Sequence, residues 1–279
     1  MKTQSPRADF LLLFFLLGCL FVMFYPVFFR LWTVGWDAAD YDHAVFVIPV
    51  AAALIFQKRQ SLSPLNGWSF SGALVFAFGF LVYLFAAFNH FMFLEAFSFC
   101  LVVWGIFLLR YSPESLSAVL FPLAYLLFLV PPPSLAIDLV TFPLKQISMY
   151  GSYGLLKILQ VPVSLEGVIL KVRDYQLFIA DSCSGFRSMV TLLALGAVYA
   201  YLQKTMPAKK WILFLSVIPL GIIANIIRIA LTGLVANWGG KRYAEGFFHD
   251  FSGIVLFLVA IGGLVVVTDF VCRRRFHVR

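Results

Sequence analysis

The chain has 279 residues, of which 62% are hydrophobic and 12% charged, with a formal net charge of +8. A soluble domain carries about a quarter charged residues, so this composition excludes a soluble globular protein. It points to an all-α polytopic membrane protein in one integral domain. The basic excess lies in short loops and the C-terminal tail, so it reads as a topology signal and not as a nucleic-acid surface.

The first apolar run, 10–31, follows Lys2 and Arg7. It resembles a secretory signal, but it is long enough to span and no small-residue cleavage site follows it. Seven further spans of mostly apolar residues are expected at 44–57, 70–88, 91–109, 116–131, 183–203, 210–234 and 251–271. A span needs about 20 such residues, so 44–57 and 116–131 are short. Eight spans place Lys2, Arg7, Lys58, Arg59, Arg110, Lys204, Lys209, Lys210 and Arg273–Arg275 on one side, the cytoplasm, as positive-inside sorting demands. Both termini are then cytoplasmic. The loops 36–43, 89–90, 132–182 and 237–250 face outward, with Lys241 and Arg242 as exceptions.

The outer insertion 132–182 opens on three prolines at 131–133, which stop a helix. Residues 135–160 mix Asp138, Lys145 and Lys157 with Leu, Ile, Phe and Tyr. That pattern predicts an amphipathic helix lying on the outer membrane surface. Next, Val163, Leu165, Val168, Leu170, Val172, Tyr175, Leu177 and Ile179 alternate with polar residues. A period of two predicts a hairpin or three-stranded ribbon, with turns at Glu166-Gly167 and Arg173-Asp174.

Three residues of different helices share one depth. Cys183 begins a helix after Asp181 and Ser182, either of which can cap it. A helix N-terminus favours the thiolate. Cys19 and Cys100 fall within the membrane and Cys272 at the inner face, so Cys183 has no disulfide partner on its side. Gly185 admits a close approach. Arg228 lies eighteen residues above Lys210, about 27 Å at ~1.5 Å per residue, near the outer edge of a ~30 Å core. An arginine there is expensive, and Asn225, one turn below, can orient it. His249 stands at the outer start of the last helix. Thiol, imidazole and guanidinium are a nucleophile, a proton carrier and an oxyanion or thiolate stabiliser, the parts of acyl transfer through a thioester. Ser184 reads as a hydrogen-bonding group. Arg187 can pair with Asp181 or Asp250, or bind substrate. Each residue also has a plainer reading: packing thiol, snorkelling arginine, interfacial histidine.

The segments SCSGFRS (182–188) and NIIR (225–228), with His249, closely resemble the exosortase/archaeosortase family of transmembrane cysteine transpeptidases. FPLAYLLFLVPPP (121–133) and EGVIL (166–170) extend the resemblance, which covers roughly 45–272. It implies Cys183 as nucleophile, Arg228 as stabilising cation and His249 as acid/base. A histidine at the last position fits the bacterial branch. The implied partners are secreted proteins with C-terminal sorting signals: a Pro-Glu-Pro-type motif, a transmembrane helix and a basic tail. Membrane lipid and a lipid or glycan acceptor complete the set, with links to exopolysaccharide loci and no cofactor. On this reading the 161–180 ribbon pairs with extended substrate, and Tyr243, Phe247 and Phe248 shield the site.

Three alternatives stay open. His43, His90, His249, Asp40, Asp42 and Asp250 all face outward, and three of them together would make a metal site, although no helical metal-ligand spacing appears. Ser182 or Ser184 would serve a serine protease, outside the G-x-S-x-G pattern. A non-enzymatic scaffold or transporter would use Arg228 and Arg187 to line a path.

Overall fold

The computed structural model describes residues 6–36, 43–65, 67, 69–167, 169–173, 175–178, 186–240, 243–244 and 247–273. Within these, only the backbone is described for 6–14, 17, 34–36, 113, 134, 178, 187, 247–250 and 273. Contacts divide the chain at the proline run into two compact units, Met1–Pro132 and Pro133–Arg279.

The first unit holds α1 (Pro6–Arg30), which continues as a π-helix over Leu31–Trp36, then α2 (Ala44–Gln57), α3 (Phe70–Asn89), α4 (Met92–Arg110) and α5 (Pro113–Tyr125), extended by a 3-10 turn at Leu126–Leu129. Helices α3 and α4 form an antiparallel hairpin whose seam is set by glycines. A Cβ at Gly105 would sit 2.6 Å from Phe76 Cα, so only a glycine permits this approach. Membrane helices associate through such small residues because lipid offers no hydrophobic drive between them. An ion pair joins α1 to α4 in this unit. Arg30 Nη2 lies 2.8 Å from Glu95 Oε1 and 2.8 Å from Oε2, and the Glu95 side chain is 0% exposed. An apolar groove of about 580 Å³ opens along α1, α2 and α4, past Gly18, Ala52, Phe99 and Val103. Among the described residues its lining is apolar.

The second unit holds α6 (Ser134–Ile158), strands β1 (Val163–Glu166), β2 (Ile169–Val172) and β3 (Tyr175–Phe178), then α7 (Phe186–Leu202), α8 (Pro207–Gly239) and α9 (Phe247–Arg273). The expected ribbon is present as an antiparallel meander in the order β1-β2-β3. Its register sets Leu165 opposite Leu170, Leu170 opposite Leu177, and Val172 opposite both Val163 and Tyr175. The alternating residues therefore share one face. That face is buried with Met149, Leu156 and Ile229 in a common core of ribbon, α6 and α8. The turns fall at Gly167 (φ +62°) and Arg173 (φ +51°).

Among the described residues, four helices are long and apolar enough to cross a membrane: Phe70–Asn89, Met92–Arg110, Pro207–Gly239 and Phe251–Cys272. The other four expected spans appear as shorter apolar helices, Gly18–Thr33, Ala44–Gln57, Glu114–Leu129 and Ser188–Leu202. The main correction concerns α6. It is helical where expected, but it does not lie apart on a surface. It runs beside α8 in the same direction, since Ser148 meets Asn225, Ser152 meets Ile226 and Leu156 meets Gly233. Its Thr141, Ser148 and Ser152 point inward, while Leu139, Phe142 and Tyr150 are exposed. The periodicity is amphipathic, but the packed stripe is made of the small polar residues Thr141, Ser148 and Ser152 with Met149 and Leu156, while Asp138 and Lys157 are exposed. In lipid the small polar face seeks partner groups and the apolar face seeks the acyl chains.

Candidate active site

The second unit has two ends that can be told apart by hydrogen bonds. At one end, Lys209 Nζ donates to Val271 O at 2.8 Å and Lys210 Nζ donates to Tyr201 O at 2.6 Å. These lysines join the start of α8 to the last turns of α9 and α7, where carbonyls lack intrahelical donors. At the other end, Arg228 Nε donates to Ser252 Oγ at 3.1 Å. Nineteen residues separate Lys209 from Arg228 on α8, and nineteen separate Ser252 from Val271 on α9. Both rungs thus mark one antiparallel register over about 28 Å of helix. The start of α7 belongs to the Arg228 end as well, because Gly196 packs on Val217 and Met189 on Gly221, each step toward the N-terminus of α7 climbing α8.

Arg228 is 7% exposed, and Asn225, Thr232 and Ser252 are buried with it. Its backbone carbonyl accepts from Thr232 Oγ1 at 3.0 Å. Among the described residues no carboxylate pairs with the guanidinium. Nη1 and Nη2 make no hydrogen bond to a described residue. The cation is therefore held by a neutral hydroxyl through Nε, with its two terminal nitrogens directed away from that bond. Asn225, expected to orient the guanidinium, donates through Nδ2 to Ser148 Oγ at 3.0 Å. Beside it, Ser152 Oγ is within 2.6 Å of Ser148 O and 3.1 Å of Ile226 O. Asn225 thus ties α8 to α6, and the arginine's partner comes from α9.

Cys183, Ser184 and Gly185 lie outside the described residues, as do Asp181 and Ser182, so the capping of Cys183 is not described. Arg187 and His249 have described backbone only: Arg187 is in the first turn of α7 and His249 in the first turn of α9. Helix α7 begins at Phe186, three residues after Cys183. The other cysteines have ordinary surroundings: Cys19 is exposed, Cys272 half-buried, and Cys100 is buried with its thiol on Leu126 O at 3.4 Å. Among the described residues no three His, Cys, Asp or Glu side chains assemble into a metal-holding group. Of the candidate ligands, His43 is buried at the start of α2 and His90 caps α3 in the left-handed region. Asp40, Asp42 and the side chains of His249 and Asp250 lie outside the described residues. Tyr243 is exposed, and the side chains of Phe247 and Phe248 are likewise not described.

A model of the transmembrane exosortase family matches residues 35–266. The chain belongs to that family. No curated protein and no solved structure matches it. The matched span takes in both units of this exosortase and contains Cys183, Arg228, His249 and Ser252. Sequence reasoning missed Ser252 and the Arg30–Glu95 pair. Both had a signal. Ser252 is a hydroxyl one turn after His249 in an apolar helix, and a charge of each sign within apolar runs calls for a partner.

Proposed function

We propose that this exosortase is a membrane-embedded cysteine transpeptidase acting on C-terminal sorting signals of secreted proteins. The observation that supports this best is Arg228: a cation buried in an apolar helix and held, among the described residues, through Nε by a neutral hydroxyl, at the end of the unit where α7 and α9 begin. Keeping a guanidinium there is costly, and no described carboxylate neutralises it. It serves as a preorganised stabiliser of negative charge.

The Cys183 thiolate attacks the scissile carbonyl, and Arg228 stabilises the oxyanion. The C–N bond then breaks, His249 gives its proton to the leaving amine, and the acyl group remains on sulfur as a thioester. An amine or hydroxyl of a lipid or glycan acceptor takes the acyl group and restores the thiol, or water does so where the enzyme only cleaves. The substrate presents a Pro-Glu-Pro-type motif, with its own transmembrane helix and basic tail held in the bilayer. Strand β3, the last of the ribbon, ends five residues before Cys183 and suits pairing with an extended segment. Lys204, Lys209 and Lys210, with the basic C-terminal tail, orient this unit with that end cytoplasmic. The Arg228 end then faces the periplasm of a bacterial inner membrane.

The test is trapping. Enzyme and Cys183→Ala variant are co-expressed with secreted proteins bearing such tails, and membranes are searched by mass spectrometry. The expected result is a hydroxylamine-labile acyl adduct on Cys183 alone. Cleavage that persists in Cys183→Ala overturns the reading in favour of the serine or metal alternatives. Substrate crosslinks away from 161–182 would remove the ribbon from it.

A further inference from the structure

We infer that Ser252 is a positioning residue for this reaction, fixing the rotamer of Arg228 and locking its helix to the one that carries His249. The inference rests on the reading of Arg228 as the stabilising cation. Ser252 is 1% exposed and Arg228 7%, and the Nε–Oγ distance is 3.1 Å. Arginine has four rotatable side-chain bonds and a planar fork of donors. Fixing Nε fixes the plane of the fork, and so the direction in which Nη1 and Nη2 point. In a water-poor interior the hydroxyl also satisfies a donor whose orphaning would be costly.

The second half of the argument is the position of Ser252 along α9. It follows His249 by three residues within one continuous helix, Phe247–Arg273. Residues three apart share a helix face. The bond therefore sets the height of Arg228 on α8 against the turn of α9 that bears His249. Packing alone sets that height weakly. The α8–α9 contact is largely aliphatic: Leu220 on Gly263, and Ala224 with Leu256 and Ala260. Aliphatic surfaces tolerate small slips, whereas a hydrogen bond of this kind does not survive a shift of an ångström.

The experiment compares Ser252→Ala, Ser252→Thr and Arg228→Ala in native membranes. Cleavage of a sorting-signal substrate is followed, and alkylation of Cys183 by iodoacetamide is measured against pH. Ser252→Ala is expected to lower kcat about tenfold, the worth of one hydrogen bond to a charged group, with KM within about twofold. Its alkylation midpoint should move to higher pH, because a wandering cation stabilises the thiolate less. Ser252→Thr, which keeps the hydroxyl, restores both. A packing role would lower the amount of reactive enzyme without moving the midpoint, and that outcome overturns the inference. So does loss of both Ser252 variants from the membrane. Arg228→Ala separates the two layers. If it cleaves like the wild type, the reading of the cation fails. If it is inactive while Ser252→Ala is unimpaired, only the role of Ser252 fails.

Discussion

The first unit holds a half-exposed arginine at the end of α1 and the second a buried arginine within α8, and the two are partnered differently. In the first unit Arg30 meets a carboxylate, with both Glu95 oxygens 2.8 Å from one guanidinium nitrogen. In the second, Arg228 meets a hydroxyl and, among the described residues, no acid. An ion pair removes the cost of both charges and leaves little field for a third party. A cation held by a neutral dipole keeps its field. Arg30 and Glu95 are thus a bolt between α1 and α4, and Arg228, on the function proposed above, is a group kept available.

The comparison breaks or sharpens under substitution. The largest effect is expected at Arg228→Ala, with cleavage down ~10²–10³-fold, the usual loss for one oxyanion donor, and membrane yield close to wild type. Arg30→Ala should leave activity per folded molecule unchanged; equal inactivation of both variants would erase the distinction drawn between them. Next comes Glu95→Ala, which strands Arg30. A fully buried pair broken this way costs ~3–5 kcal/mol. Arg30 keeps 38% of its side chain exposed, so unfolding in mixed detergent should report about 2–3 kcal/mol. The double change Arg30→Met with Glu95→Leu should recover most of it. Asn225→Ala removes the rung to Ser148 and should destabilise by about 1–2 kcal/mol, read in the same assay. A far larger loss would mean that α6 depends on this rung alone.

The smallest effect is at Glu114, in the first turn of α5. Its own backbone N–H, then the Ser112 hydroxyl, hold its carboxyl below the ordinary carboxylate pKa. A depressed carboxyl contributes stability above its unfolded pKa and loses it as pH falls through the folded value. Glu114→Gln should therefore lower stability slightly at neutral pH, match the wild type at low pH, and so flatten the acid side of the stability profile.

Much of the fold was legible because lipid imposes simple rules. Apolar runs mark helices, and the alternation from Val163 to Leu177 marks strands whose register then follows from the shared buried face. The run 135–160 was misjudged for a physical reason. Amphipathicity has the same period whether the polar stripe faces water or another helix, and only the contacts of Ser148 and Ser152 show which holds here. Asn225 was likewise assigned to Arg228 by spacing along one helix, while its amide reaches a different helix.

The amino-acid sequence alone pointed to the solvent, the helices and the ribbon, because composition and period are local properties set by burial and backbone geometry. It also set the distance of Arg228 from the lysines that begin α8, since rise per residue is constant. Only the tertiary structure decided what each polar group touches: Glu95 for Arg30, Ser252 for Arg228, Ser148 for Asn225. These partners lie between 24 and 77 residues apart in the chain, and nothing local encodes a contact that exists only once the helices have packed.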